Sequence, residues 1–540
     1  MRQIADWIRH LSRGTTLPRD PLARRRFLER AAWTTTALAL APGLLGRAPA
    51  QNPTRVRLTA DPFTLGVASG YPHPGGFSLW TRLAPGPLRA DGGIEGDARI
   101  PVRCEVAEDE GFARIVRSID FDTAPEVGHS VHLDVDGLEA GRGYHYRFQC
   151  GDARSAVGRT HTLPAAGARI ERFRIAFASC QNLEHGWFSA YRQMQRDAPD
   201  LVLFLGDYIY ESQWGVDLVR RHLGSEPTTL AGYRVRHAQY KLDPDLQAMH
   251  ATGPWAFAWD DHEVDNDYAG AQSENLDPSF LLRRAAAYQA YFEHLPMPRR
   301  MYPRHDEMRM YTHLDIGDLL RVCLLDARQY RTPQPCPRPN RHSSQVAIGC
   351  TELRESSQTM LGAAQERWLS QRLRDSGARW NLIAQQGLFA PLDEQPGDER
   401  GAFTDMWEGY PLARERVLAD LRDGRTRNPV FAGGDMHTAV AAAVPGDPAR
   451  VDSAPVASEF VATSLSAESR PQSWYDERLP ENPHVRQLRS DQRGYTLLDF
   501  ARGRLDATLQ VVRDVHVQDA QFEVQARYMV EDGRAGPQRA

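Results

Sequence analysis

Leu201-Val202-Leu203-Phe204-Leu205 runs without interruption into Gly206-Asp207-Tyr208-Ile209-Tyr210-Glu211. Five consecutive apolar residues read as a strand covered on both faces, because a half-exposed strand would alternate. The glycine and carboxylate that follow mark a tight turn carrying chemistry. The same grammar recurs along the chain. Phe173–Ala178 leads into Ser179-Cys180-Gln181-Asn182, and Trp255–Trp259 into Asp260-Asp261-His262-Glu263. Trp380–Ala384 leads into Gln385-Gln386, and Val430–Ala432 into Gly433-Gly434-Asp435-Met436-His437-Thr438. A further apolar run spans Leu319–Leu325. Helical patterns separate these runs at 186–195, 281–292, 364–374 and 412–422, which predicts an α/β fold. Metal-competent side chains gathered where strands end sit at the edge on which such folds assemble sites.

Asp207 and Tyr210 are three residues apart, close enough to approach one ion from a single loop. A phenol, with a pKa near 10, is a poor ligand for most divalent ions; a trivalent ion such as Fe³⁺ would stabilise the phenolate. Cys180 follows a strand where a ligand is expected, and a thiolate beside a cation would be deprotonated. Against this, most free cysteines are simply small buried residues. Asp435 and His437 straddle Met436, so on an extended segment they would share a face. The acidic run from Asp260 follows an apolar stretch. Burying it without a cation would cost several kcal/mol per charge, and its oxygen-rich character suits a hard cation such as Ca²⁺ or Mg²⁺.

Upstream, Phe63 to about Leu163 reads as all-β. Phe63–Gly70, Phe77–Arg82, Val131–Val135 and Tyr144–Phe148 are short strands between Gly, Pro and Asp turns, the pattern of a small sandwich of fibronectin type III kind. The expected organisation is a β-sandwich over 55–164, a linker near Pro164–Ala168, and an α/β domain over 170–532. Residues 1–50 read as a signal peptide, with Arg24-Arg25-Arg26-Phe27-Leu28, a short apolar stretch and Ala48-Pro49-Ala50 at a cleavage site. The twin-arginine pattern predicts export by the twin-arginine translocation machinery to a periplasmic or secreted location, with no transmembrane segment in the mature chain.

The chain carries a formal charge of −5. The leader holds nine Arg against Asp6, Asp20 and Glu29, so its removal leaves about −11. No long basic run supports a stable nucleic-acid partner. An acidic protein acting on anions needs a local cationic centre, which bound metal supplies. In an oxidising compartment the six cysteines suggest two candidate bridges, Cys104–Cys150 and Cys336–Cys350, with Cys323 in the core.

Taken together, Ala-Ser-Cys-Gln (178–181), Gly-Asp-Tyr-Ile-Tyr-Glu (206–211), Trp-Asp-Asp-His-Glu-Val (259–264), Leu-Asp-Ala-Arg-Gln-Tyr-Arg (325–331), Leu-Gly-Ala-Ala-Gln-Glu-Arg-Trp-Leu (361–369) and Gly-Gly-Asp-Met-His-Thr (433–438) resemble the PhoD-like alkaline phosphatase and phosphodiesterase family, among the calcineurin-like metallophosphoesterases. The resemblance implies a four-layer α/β/β/α core behind the small β-domain, and a mixed centre of Fe³⁺ and Ca²⁺. By motif, Cys180, Tyr210 and His437 would hold iron, Asp207 would bridge, and Asp261 and Asp435 would serve calcium. Asn182 stands in the place of the superfamily's first His. Gln385 and Gln386 stand where many relatives have His, which would favour oxygen ligation there. Ala327 and Glu408 depart from the family pattern without removing a ligand.

The implied reaction is in-line attack on a phosphate ester held by two cations. His262 is the candidate general acid or phosphate donor. Arg328 is a candidate bidentate phosphate contact, the competing role being a structural network with Asp326. Asn482 and His484 are weaker cleft candidates. The expected function is hydrolysis of phosphate monoesters and diesters for phosphate acquisition. The alternative is a dedicated phosphodiesterase acting on phospholipid, teichoic-acid-like polymer or nucleic acid. A binding module with a vestigial site is the third reading, and the retained ligand set argues against it.

Overall fold

The computed structural model describes residues 60–540, so the leader predicted for 1–50 and the start of the β-domain at 55 lie outside the described residues. Leu201–Leu205 is buried along its whole length. It pairs in parallel with Arg172–Ala178 on one side and Pro254–Ala258 on the other. The register sets Phe204 beside Ala178 and Leu205 beside Ala258. The segments beginning at 179, 206 and 259 therefore leave the sheet at one edge. A second sheet repeats the device. Leu320–Leu324, Trp380–Ala384, Pro429–Gly433 and Pro455–Val461 are all parallel neighbours, with Leu324, Ala384 and Ala432 in successive register.

The first sheet has ten strands. Arg493–Ala501 and three further C-terminal strands extend it beyond Arg172–Ala178. The second sheet has seven. Period-two side-chain alternation divides that second sheet between two cores. Val322, Leu324, Leu382 and Ala384 share a core with Ile175 and Leu203 of the first sheet. Cys323, Ile383 and Phe431 point the other way, into a core with Leu369 and Leu373 of helix Gly362–Arg374 and Leu418 and Leu421 of helix Pro411–Arg422.

The N-terminal β-region forms two sheets around Leu79, Val102, Val131 and Tyr146. One is a five-stranded sheet containing Ile100–Ala107 and Gly143–Cys150. The other is Val67–His73, Gly76–Arg82 and Ser130–Val135, and it is continuous with the ten-stranded sheet. Val67–His73 pairs in parallel with Pro254–Ala258.

Helices Phe280–His294, Gly362–Arg374 and Pro411–Arg422 fall where periodicity placed them. The helix expected from 186 starts later, at Ala190. The Trp187 N–H donates to the Val515 carbonyl, and a Cβ on Gly186 would lie 2.4 Å from Val515 Cγ2. That stretch is spent on docking a C-terminal loop. No helix among the described residues is long and apolar enough to cross a membrane.

Cys336 and Cys350 form a disulfide. Cys104 and Cys150 do not; both are buried free thiols. Their strands are antiparallel neighbours, but the register sets Cys104 opposite Phe148. Cys150 is thus a diagonal neighbour, about 7–8 Å away, whereas a disulfide needs Cβ atoms about 3.8 Å apart. Thiol titration of the unfolded, unreduced protein is expected to find four thiols, Cys104, Cys150, Cys180 and Cys323; two would restore the discarded bridge.

Candidate metal centre

The strand-end segments of the two sheets meet. Cys180, Asp207 and His437 each bring a ligand atom to within 4.8 Å of the others, and Asp207, Asp261 and His262 form a second group of the same size. Asp207 belongs to both groups, which gives it the position of a bridge. The Tyr210 hydroxyl donates to Asp207 Oδ2 at 2.8 Å and lies 3.1 Å from His437 Nε2. Asp435 joins through Arg328, whose Nη2 is 3.4 Å from Asp435 Oδ2 and 3.5 Å from Asp261 Oδ1. All six residues expected to hold metal are thereby in one neighbourhood.

The backbone bends sharply to arrange this. Cys180, Asp207, Asp435 and His437 all have left-handed backbones, with φ of 57°, 57°, 61° and 53°. For non-glycine residues such conformations cost roughly 1–3 kcal/mol each and concentrate at functional sites. Asp435 and His437 therefore do not share a face as an extended segment would allow; the loop turns at each. Gly206, at φ +108°, lets two loops cross, since a Cβ there would lie 2.5 Å from Asp260 Cβ.

A second layer of groups fixes the first. Glu263, part of the acidic run but given no individual role there, accepts the N–H groups of Asp207 (3.0 Å), Tyr208 (2.5 Å) and Asp260 (2.7 Å). This one carboxylate clamps two strand ends together. His437 Nδ1 bonds to the Glu468 carbonyl. That choice puts the proton on Nδ1 and leaves Nε2 as the ligand nitrogen. His262 Nδ1 is 2.8 Å from Glu211 Oε2. Neither Glu468 nor Glu211 carried a signal that sequence could single out, because each acts through a distant loop.

The donor set fits cations. Asp207 Oδ1, Asp260 Oδ2 and Asp261 Oδ1 are buried without a hydrogen-bond partner among the described residues, a costly arrangement that an ion would relieve. Burial, then repulsion from Asp207, holds the Cys180 thiol well above its ordinary value. Burial likewise raises Tyr210, Asp207 and Asp435. Their protons would leave as metal enters. Burial lowers His437 to about 3, so its imidazole stays neutral, the form able to ligate a metal. At His262 burial opposes charge, but Glu211, Asp261 and Asp207 outweigh it and raise the imidazole well above its usual value.

Other expectations shift. Arg328 is a buried hub: Nε reaches Asp260, while Nη1 and Nη2 donate to Asp405 at 3.1 and 2.7 Å. Asp326 does bond the Arg328 backbone N–H at 3.1 Å, yet the guanidinium's own partners are Asp260 and Asp405. Asp405 also takes Arg331. Gln385 and Gln386 are not poised as ligands, since their amides bond Gly387 and the Trp259 and Leu325 carbonyls, and accept from Trp407 and Ala327. Asn182 Oδ1 caps Glu184 N, while its Nδ2 is buried and unpartnered among the described residues. Asn482 and His484 do not line the cleft. They brace its wall, Asn482 pairing with both backbone groups of Asp393 and His484 with the Pro391 carbonyl.

Two α/β sheets thus deliver a thiol, a phenol, imidazoles and buried carboxylates to one place, a donor set able to hold metal ions. Residues 175–509 match the family model for PhoD-like phosphatase, and residues 48–164 that for the PhoD-like phosphatase N-terminal domain. The chain belongs to the PhoD-like phosphatase family. It is 41% identical over 489 residues to alkaline phosphatase D of Bacillus subtilis (strain 168), covering 88% of this chain and 82% of that protein. It also superposes on the solved structure of PhoD with a TM-score of 0.85, at 39% identity over 90% of this chain and 93% of that one.

Arg328→Met leaves buried Asp260 without its cationic partner and takes one of two arginines from buried Asp405. It is expected to lower the unfolding free energy by about 3–5 kcal/mol, read by chemical denaturation; a loss below about 1 kcal/mol would contradict the hub role.

Proposed function

We propose that this chain is an exported phosphoesterase that hydrolyses phosphate monoesters and diesters for phosphate acquisition, using Fe³⁺ beside Ca²⁺. The observation that carries the reading is Asp207, shared between a group with a thiol and an imidazole and a group with a second carboxylate. Cys180, Tyr210 and His437 would hold the iron, Asp207 would bridge, and Asp261 and Asp435 would hold the calcium. Thiolate, phenolate and imidazole suit the former, and all-oxygen ligation the latter. When bound, the cations supply Lewis acidity toward phosphate oxygens and lower the pKa of water.

The chain's own residues then orient and exchange protons. His262, kept charged by Glu211, donates a proton to the departing alkoxide. Glu263 and Arg328 hold the carboxylates in place. The Cys336–Cys350 bridge suits an oxidising destination, in keeping with twin-arginine export to the periplasm or outside the cell. The same reading takes the two large sheets and their helices as an α/β/β/α core over 170–532, and the N-terminal sheets over 55–164 as a fibronectin type III-like β-sandwich.

Elemental analysis and a visible spectrum test the metals. A tyrosinate-to-iron charge-transfer band is expected, and Tyr210→Phe is expected to abolish it; a colourless protein fully active on zinc would overturn the iron assignment. His262→Ala is expected to lower kcat roughly 10²–10⁴-fold, and less for an ester with a good leaving group. An equal loss on good and poor leaving groups would remove His262 from the acid role.

A further inference from the structure

Arg328, the arginine expected to meet substrate, has its N–H groups taken by Asp260 and Asp405. A cleft of about 320 Å³ opens onto Asp435 and His437, and Arg470, Glu394, Phe403 and Tyr475 also line it. A water molecule's share of liquid is about 30 Å³. The cleft thus has room for far more than one phosphoryl group, and the surplus faces the alcohol portion of an ester.

Arg470 is arranged differently from every other guanidinium near the centre. Its carbon lies 4.3 Å from the Trp474 ring centroid and 5.6 Å from that of Phe403. Stacking occupies the faces of a guanidinium and leaves its in-plane N–H groups free. None of them makes a hydrogen bond among the described residues; the nearest carboxylate oxygen, Glu394 Oε2, is 3.6 Å away. Arg478 stacks on the same indole at 3.7 Å, but its Nε donates to the Glu394 carbonyl and its Nη1 to the Trp474 carbonyl and Glu477. Of the two stacked arginines, only Arg470 lines the cleft, and its side chain is 44% exposed. Glu394 is buried and burial raises it to about 7, with Arg470 pulling it down.

We infer that Arg470 grips an anionic oxygen on the alcohol portion of the substrate, so that the enzyme favours phosphate esters whose alcohol bears a second negative charge. This rests on the phosphoesterase reading of the adjoining centre. Arg470 is a specificity residue in this scheme, since the reacting phosphoryl group is left to the metal ligands.

The metal-loaded full chain tests it with phenyl phosphate and carboxyphenyl phosphate. Arg470→Ala is expected to raise KM for the carboxylated ester roughly tenfold or more, to leave KM for phenyl phosphate within about twofold, and to keep the melting temperature. Arg470→Lys should recover part of the loss. Unchanged KM for both esters, or equal increases for both, would overturn the assignment. A wild-type chain that hydrolysed neither ester would sink the monoesterase part of the proposed function and this inference with it.

Discussion

Negative charge packed into a dry space is the constraint from which the rest of this architecture follows. Asp207, Asp260, Asp261, Glu263 and Asp405 are all buried where the two sheets meet, and Asp435 stands at their margin. Left alone, such a group would repel itself and strain for water. The chain supplies Arg328, Arg331 and His262, whose acidic neighbours favour its charged form, in return. Those cations offset part of this charge and leave unsatisfied oxygens on Asp207, Asp260 and Asp261 among the described residues. The protein compensates its acidic ring only in part, and the remainder is addressed to ions.

Backbone geometry serves the same end. Parallel register brings strand ends level, but level ends alone would send side chains outward with the strand's alternation. Left-handed turns at Cys180, Asp207, Asp435 and His437 redirect the side chains toward a common point. Each is unfavourable on its own, and each is held by neighbours: the Cys180 N–H by the Gly206 carbonyl, the Asp207 N–H by Glu263, the His437 ring by Glu468. Strain in the loops is thereby sustained by the rigidity of the sheets beneath them.

Much of this was legible beforehand, and what was not has a physical reason. Runs such as Leu201–Leu205 announce buried strands because nothing else tolerates unbroken apolarity of that length. The residues following them announce chemistry because carboxylates at apolar ends need a partner. Local sequence says nothing about register, so Cys104 and Cys150 looked bridgeable until strand pairing set them diagonally apart. It says little about who completes a hydrogen bond between loops tens of positions apart, so Glu211 and Glu263 were quoted without a role and Glu468 was not singled out. Arg328 was recognised as important, but its partners, and hence its role, lie in Asp260 and Asp405, 68 and 77 residues away. Gln385 and Gln386 illustrate the opposite error: chemically plausible side chains whose amides were already engaged.

The sharing of one sheet between the N-terminal β-region and the catalytic strands reaches beyond architecture. Pro254–Ala258 sits between Leu201–Leu205 and Val67–His73, and the Trp80 indole is hydrogen-bonded to Glu293 and capped by Lys241 at 4.1 Å. A fragment cut near residue 165 would uncover one edge of Pro254–Ala258, an apolar strand adjacent to the one that leads into Asp207. Such an edge invites sticking to other chains. The N-terminal strands thus act as the edge cover of the catalytic sheet, although the two regions match separate family models.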